Sequence, residues 1–467
     1  MKPMATGPLS AEIRAFQMGF GDCFLLSFRY PARSRHVLVD FGSTDPPGNR
    51  PGPGATIERH LTRVAGEIAA VCGADGLSVL VATHRHADHI NGFATDGVGG
   101  GPGAIIRALK PRVVIQPWTE DPRAARDARR ATGQSDRSRR SFVLGLAAMN
   151  AIAEEMVRRS AAPIRGLSHR AAAQLGFLGR TNLANRSAVE NLLAMGAAPG
   201  ARAVWARHGT DLRLGRILPG VRVDVLGPPD LEQTDAIRRM RSTDAAEFWH
   251  LAAKALSARG EGPRSRRRAA PLPAEARWFC DRLEKAGSSH LLEIVRQLDR
   301  ELNNTSLILL FEACGRRLLF PGDAQLEPWL HALEDADDAA ETRRRLADVD
   351  VYKVGHHGSL NATPRRALWD LFRKRGKPGR ERLHTLLSTK RGKHGDPRNG
   401  TEVPRLTLVK ALADQTELSD TSDLSAAADR VRCHLIRLDA GSIEAGPMPP
   451  PPPRRAPARG GRRRGGS

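Results

Sequence analysis

The segment Thr83-His84-Arg85-His86-Ala87-Asp88-His89, directly after the apolar run 77–82, restricts this chain more than any other part of it. A short unbroken apolar run reads as a buried strand, so the polar cluster is delivered at a strand end. Neutral imidazoles and carboxylates are the donors that borderline and hard divalent ions accept, and His84, His86, Asp88 and His89 put four of them within six residues. Side chains two apart on an extended segment point the same way. His84 and His86 therefore project together, whereas Asp88 and His89 lie past the bend and face a second position beside the first. The fold has to leave room for metal at that strand end.

Apolar alternation predicts three opening strands, at 13–18, 23–30 and 37–41, the first two joined through Gly19-Phe20-Gly21-Asp22, where glycine permits a tight reversal. A helix over 56–70 leads into the buried strand, and another strand is expected at 112–116. The second half restarts with strands at 306–312 and 317–320 around Cys314-Gly315 and continues at 349–354, 385–388 and 431–438. Strands alternating with helices in this manner suit a layered α/β architecture. Residues 1–118 read as the first half of one domain, 119–220 as an Arg-rich helical insertion, 221–228 as a returning core strand, 229–300 as a second helical insertion and 301–445 as the second half. Residues 446–467 form a Pro/Arg/Gly-rich tail with six arginines, which cannot build a core and is expected to be disordered.

Composition narrows the setting. Five scattered cysteines, never at CxxC spacing, indicate neither a disulfide framework nor a zinc knuckle. No apolar leader follows Met1 and nowhere do about 18 uncharged apolar residues run together, so a cytoplasmic protein without a membrane span is expected. The net charge of +22 and pI near 11.0 suit a polyanionic partner such as nucleic acid, reached through the basic surface and the Arg/Gly-rich tail. A compositional preference for arginine explains the same charge with no partner, and both readings stand.

The spacing of His84, His86, Asp88 and His89 resembles, without a gap, the HxHxDH signature of the metallo-β-lactamase superfamily. Three further stretches carry the resemblance in the same order. Asp40, ending the apolar strand Val37-Leu38-Val39, stands where that superfamily has a structural aspartate that orients the ligand loop. Asp323, in Phe320-Pro321-Gly322-Asp323-Ala324, stands at its bridging aspartate, and His356-His357-Gly358-Ser359 at its late histidine motif. More narrowly, residues 19–25, Leu302-Asn303-Asn304-Thr305-Ser306-Leu307 and Lys353-Val354-Gly355-His356-His357-Gly358-Ser359 are similar to the soluble domain of the ComEC-type competence DNA-uptake proteins, over about 11–118 and 300–440. A stand-alone relative without the channel's membrane part is implied.

The fold implied by this resemblance is the four-layer αββα sandwich of the metallo-β-lactamase type, carrying helical insertions. The implied centre holds two divalent ions, zinc or manganese, with His84, His86 and Asp323 on the first and Asp88, His89, Asp323 and His356 on the second. His357 is the reserve ligand, because the doublet leaves open which ring faces inward. In the narrower subgroup no third histidine completes the first site, and Asn303-Asn304-Thr305-Ser306 takes its stretch. His208, the nearest alternative, reads as a surface histidine because no strand is expected before it. Asp88, His357 and Lys353 are the candidate catalytic residues, and Asn304, Ser359 and His394 the candidate substrate contacts. His394 enters because Lys393-His394-Gly395-Asp396-Pro397 has an aspartate where the subgroup has its usual histidine.

The implied activity is hydrolysis by a metal-bound hydroxide, acting as a phosphodiesterase or nuclease on nucleic acid or nucleotides, since two ions both ionise a shared water and neutralise substrate charge. A carbonyl substrate such as a lactone, thioester or amide uses the same hydroxide. A nucleic-acid-binding module on a retained fold needs no catalysis. Fold alone leaves these alternatives open.

Overall fold

Reversals between short strands open each half of the chain, and parallel strands follow. The computed structural model describes residues 7–48, 56–96, 98–121, 186–230, 233, 303–359, 363–395, 397, 402–425 and 431–448. Strands β1 (Ser10–Phe16), β2 (Cys23–Arg29) and β3 (Ser34–Phe41) pair antiparallel. Beyond β3 the neighbours β4 (Val79–Val81), β5 (Val113–Pro117) and β6 (Arg202–Ala206) run parallel. Parallel neighbours require crossover connections, and these contain helices α1 (Ile57–Cys72), the one-turn α2 (Ala87–Ile90), α3 (Pro102–Ala108) and α4 (Arg186–Gly196).

The second sheet repeats the scheme. β7 (Arg222–Gly227), β8 (Ile308–Ala313) and β9 (Arg316–Phe320) are antiparallel, and β10 (Val351–Lys353), β11 (His384–Leu387) and β12 (Glu417–Asp420) continue in parallel. Its helices are α5 (Leu326–Leu330), α6 (Ala339–Ala347) and α7 (Leu406–Gln415). The chain then returns to the first sheet through β13 (Cys433–Leu438) and β14 (Ile443–Pro447), giving the orders β14-β13-β1-β2-β3-β4-β5-β6 and β12-β11-β10-β9-β8-β7.

Alternate side chains of a strand point to opposite faces, and both faces of these sheets are apolar. Ile13, Phe24 and Phe28 of the first sheet meet Leu309, Phe311 and Phe320 of the second in a shared core. Leu25, Leu38 and Val114 project the other way, against Leu61, Ile68, Ile106 and Leu192 of the helices. On the second sheet Leu310, Leu319 and Tyr352 likewise meet Trp329, Leu346 and Leu412. The protein is thus an α/β structure with two mixed sheets.

Strand β6 lies within the stretch read from sequence as a helical insertion, and β12 and β14 had no expected counterpart. All three are sheet edges, and their half-exposed positions need no dense apolar run. Most of the two expected insertions, at 122–185 and 234–302, lies outside the described residues, as do the tail beyond 448 and Asp396. Among the described residues no helix is long and apolar enough to cross a membrane. Cys23, Cys72, Cys314 and Cys433 are unpaired thiols, and Cys280 lies outside the described residues.

Phe320 packs edge-on against Phe24 and Phe311, with ring centroids 5.7 and 5.8 Å away. Truncating it to alanine removes the contact that joins the sheets. Phe320→Ala is expected to lower unfolding free energy by about 3–5 kcal/mol, read from the urea midpoint. A loss below about 1 kcal/mol would mean that the two sheets do not depend on this shared core.

Candidate metal centre

Open α/β sheets bind ligands beyond the carboxyl ends of their parallel strands, and the polar cluster gathers there. Asp40 ends β3, Thr83 and His84 follow β4, Asp323 follows β9, and Lys353 ends β10 just before His356 and His357. The two sheets are tied together at this edge. Leu307 N donates to the Thr83 carbonyl at 2.9 Å, and the Ser388 hydroxyl donates to the Gly21 carbonyl at 2.6 Å.

One carboxylate sets the geometry. Asp40 is left-handed (φ 55°) and turns its side chain over the end of β4. Its Oδ1 accepts from Thr83 N at 2.7 Å, while Oδ2 accepts from the Thr83 hydroxyl at 2.7 Å and from His89 Nδ1 at 2.9 Å. His89 is thereby held with Nε2 toward Asp323 Oδ2, 3.2 Å away. Having donated its hydrogen, Thr83 Oγ1 accepts from His84 Nδ1 at 3.1 Å, which leaves His84 Nε2 facing His86 Nδ1 at 3.0 Å. His357 Nδ1 donates to the Ser388 carbonyl at 2.9 Å and presents Nε2 to Asp88 Oδ2 at 3.2 Å. A histidine whose outer nitrogen is fixed as a donor keeps its inner lone pair for a metal. Close packing makes α2 part of this assembly, since a Cβ on Gly42 would stand 2.4 Å from the Asp88 carbonyl carbon.

The donor atoms of His84, His89 and Asp323, and those of Asp88, His89 and His357, lie within 4.8 Å of one another. Contacts of 3.0 to 3.2 Å between inner donor atoms compare with roughly 3.3 Å for the edge of a tetrahedron around zinc with metal–nitrogen bonds of about 2.0–2.1 Å. Charge makes the same case. Asp22, Asp40, Asp88 and Asp323 are 0%, 1%, 4% and 1% exposed, against one buried cationic side chain in the centre, Lys353, at 1%. Four carboxylates less one ammonium leave three negative charges when the histidines are neutral, and buried charge of one sign is tolerated only when compensated. Asp88 Oδ1 is also buried without a hydrogen-bond partner. The donor set fits divalent ions.

Neighbouring charges tune these groups in opposite directions. Burial, helped by His89 and His86, depresses His84 well below the usual histidine range. Burial acts the same way on His89 and His357 but is outweighed, by Asp323 and Asp40 for His89 and by Asp323, Asp22 and Asp88 for His357, so both are raised. Burial by itself would raise Asp88 and Asp323. His357 and His89 beside Asp88, and His89, His357 and Lys353 beside Asp323, instead hold these carboxyls below their ordinary range. Lys353 is raised because Asp22 and Asp323 outweigh its burial.

Several expectations are reordered. Of the histidine doublet, His357 joins Asp88 and His89, whereas His356, expected as the ligand, is 23% exposed and stands 3.9 Å from Asp323 Oδ2. Both residues are left-handed (φ 44° and 51°), a turn that separates their rings by 6.4 Å. His356 Nδ1 instead meets the Ser359 hydroxyl at 2.7 Å, and its Nε2 lies 3.4 Å from Asn303 Nδ2. Asn303, the neighbour of the expected Asn304, therefore contacts His356 beside the centre. Lys353, a candidate catalytic residue, is buried with its ammonium engaged by Asp22, by the Gly322 carbonyl at 3.0 Å and by Asp323 Oδ1 at 3.4 Å.

His394 borders the centre, since its ring packs on Phe20 at 4.2 Å and Phe20 lies 4.4 Å from His357; burial pulls its pKa down to about 4. His208 is not a surface residue. It is buried, lies two residues beyond β6, and its Nδ1 and Nε2 stand 2.9 Å from the Leu226 carbonyl and from Asp338 Oδ1 respectively. The unrecognised edge strand is what carried it inward. Sequence reasoning also passed over Asp22, whose only signal was its place in a glycine reversal.

Compared with known proteins, the chain matches no protein-family model and no curated protein.

Raised histidine pKa values stabilise the metal-free fold below the unfolded value of about 6.5, and that contribution is lost as pH rises through the folded values. His84, being depressed, changes stability only below about pH 6.5. Chelator-treated protein is therefore expected to lose urea stability as pH rises above about 6.5 and through the raised folded values at which His89 and His357 give up their protons. A stability that stays flat as pH rises from about 6.5 until the native fold is lost to alkali would contradict the carboxylate contacts assigned to these two rings.

Proposed function

We propose that the protein is a metal-dependent hydrolase of the metallo-β-lactamase fold, a four-layer αββα sandwich, and that it cleaves phosphodiesters in nucleic acid or nucleotides. The observation that carries this reading is the convergence of ligand-type side chains from both sheets on one buried, carboxylate-rich edge. The order of the motifs along the chain supports it as well, from Asp40 through the His84 to His89 cluster and Asp323 to His357.

In this reading His84, His86 and Asp323 would hold one ion, and Asp88, His89 and His357, with Asp323 beside both groups, would hold the other. When bound, two divalent ions supply Lewis acidity and an ionised water at neutral pH. Nitrogen donors favour zinc, and the carboxylates also suit manganese. Asp40 and Ser388 fix the tautomers of His89 and His357, and Thr83 fixes that of His84. His356, partly exposed, bonded to Ser359 at Nδ1 and facing Asn303 Nδ2 with Nε2, stands at the rim of this centre, where it can meet substrate. A phosphodiester is favoured over a neutral carbonyl compound by the net charge of +22, which draws in a polyanion.

Hydrolysis of bis(p-nitrophenyl) phosphate and of single- and double-stranded DNA, with zinc or manganese, tests this directly. The wild type is expected to cleave, and an Asp88→Ala, His89→Ala double variant to lose about 100-fold or more in rate. Metal-loaded protein that leaves every phosphodiester intact but opens a lactone or thioester would overturn the substrate class and keep the metal chemistry.

A further inference from the structure

Asp22, Asp40 and His89 form a third group with donor atoms as close as those of the other two. Its positions are already filled, since Lys353 forms an ion pair with Asp22 and His89 Nδ1 donates to Asp40 at 2.9 Å. An ammonium thus stands where a third cation would otherwise be drawn. Lys353 arrives from β10 in the second sheet and Asp22 from the turn between β1 and β2 in the first. Asp22 is fixed by its backbone, its N–H donating to the Asp88 carbonyl and its own carbonyl accepting from Gly42 N, both at 3.0 Å.

Asp22 also lies 3.5 Å from His357 Nδ1 and 3.7 Å from His89 Nδ1, while Lys353 acts on Asp323 directly. Asp323 Oδ1 faces the Lys353 ammonium at 3.4 Å, whereas Oδ2 faces His89 at 3.2 Å, His357 at 3.7 Å and His356 at 3.9 Å. A carboxylate with both oxygens open can chelate a single ion; one whose second oxygen meets a buried ammonium offers a single ligand atom. We propose that Lys353, anchored by Asp22, is a positioning residue that restricts Asp323 to one ligating oxygen, Oδ2, shared between the two metal positions. This rests on the metal reading given above and adds to it a role for two residues that bind neither ion. It also explains why a lysine so close to the centre has no opening toward substrate.

Cobalt titration of the full chain tests the inference, because the visible absorption of bound Co2+ reports its ligand geometry independently of activity. Lys353→Met alone strands a buried carboxylate and is expected to unfold, since breaking one side of a buried pair is strongly destabilising. Lys353→Met with Asp22→Asn removes both charges and is expected to fold, with a Co2+ spectrum altered from the wild type and affinity about 10–100-fold weaker. Asp22→Asn alone is nearly isosteric, leaves Lys353 on Gly322 and Asp323 without its anchor, and is expected to shift affinity in the same direction by a smaller factor. Wild-type affinity and spectrum in both folded variants would overturn the inference while leaving the metal centre intact. A wild type that takes up no Co2+ or Zn2+ would overturn the metal reading and this inference together.

Discussion

The buried Asp40 carboxylate is the contact on which the rest of the centre depends. Because Asp40, next to last in β3, is left-handed, this side chain folds back over the end of β4 and collects two hydrogen bonds from Thr83 and one from His89. Thr83 passes the constraint on to His84, and His89 passes it on to Asp323. Members of both candidate ligand groups are thus oriented through one anion. Outer partners of this kind set the ring tautomer and the direction of the lone pair, which is the difference between a cluster of histidines and a site able to hold a metal.

That organisation places like charges together in a buried region. Four buried carboxylates cannot be balanced by Lys353 alone, so protonated histidines and the divalent ions proposed to bind here would be alternative ways of compensating the same charge. Under that proposal metal affinity and fold stability would be coupled. The coupling extends across the molecule, because Asp323, Lys353 and His357 belong to the second sheet whereas Asp40, Asp88 and His89 belong to the first. The centre joins the sheets at their carboxyl edge, as the core of Phe24, Phe311 and Phe320 joins them further in.

The ligand-bearing strand was legible because a fully buried strand must be apolar throughout, which makes a sudden run of histidines after it conspicuous. The expected strands at 23–30 and 317–320 lie within a residue of β2 and β9 for the same reason. Edge strands leave no such trace. β6 reads as Arg202-Ala203-Val204-Trp205-Ala206 with mostly half-exposed positions, and missing it placed His208 on the surface when it is buried against Leu226 and Asp338.

Local sequence by itself determined the chemistry on offer: the donor types, their grouping at strand ends, the apolar cores and the excess of positive charge. Tertiary structure alone decided how those donors are shared out. Which of His356 and His357 faces inward depends on two consecutive left-handed residues meeting the end of β11, and the role of Lys353 depends on Asp22, which lies more than three hundred residues away in sequence. Residue spacing along a strand or turn is fixed by backbone geometry and can be read locally. Pairing between buried charges is fixed by how two sheets are stacked, and that information resides in no single segment of the chain.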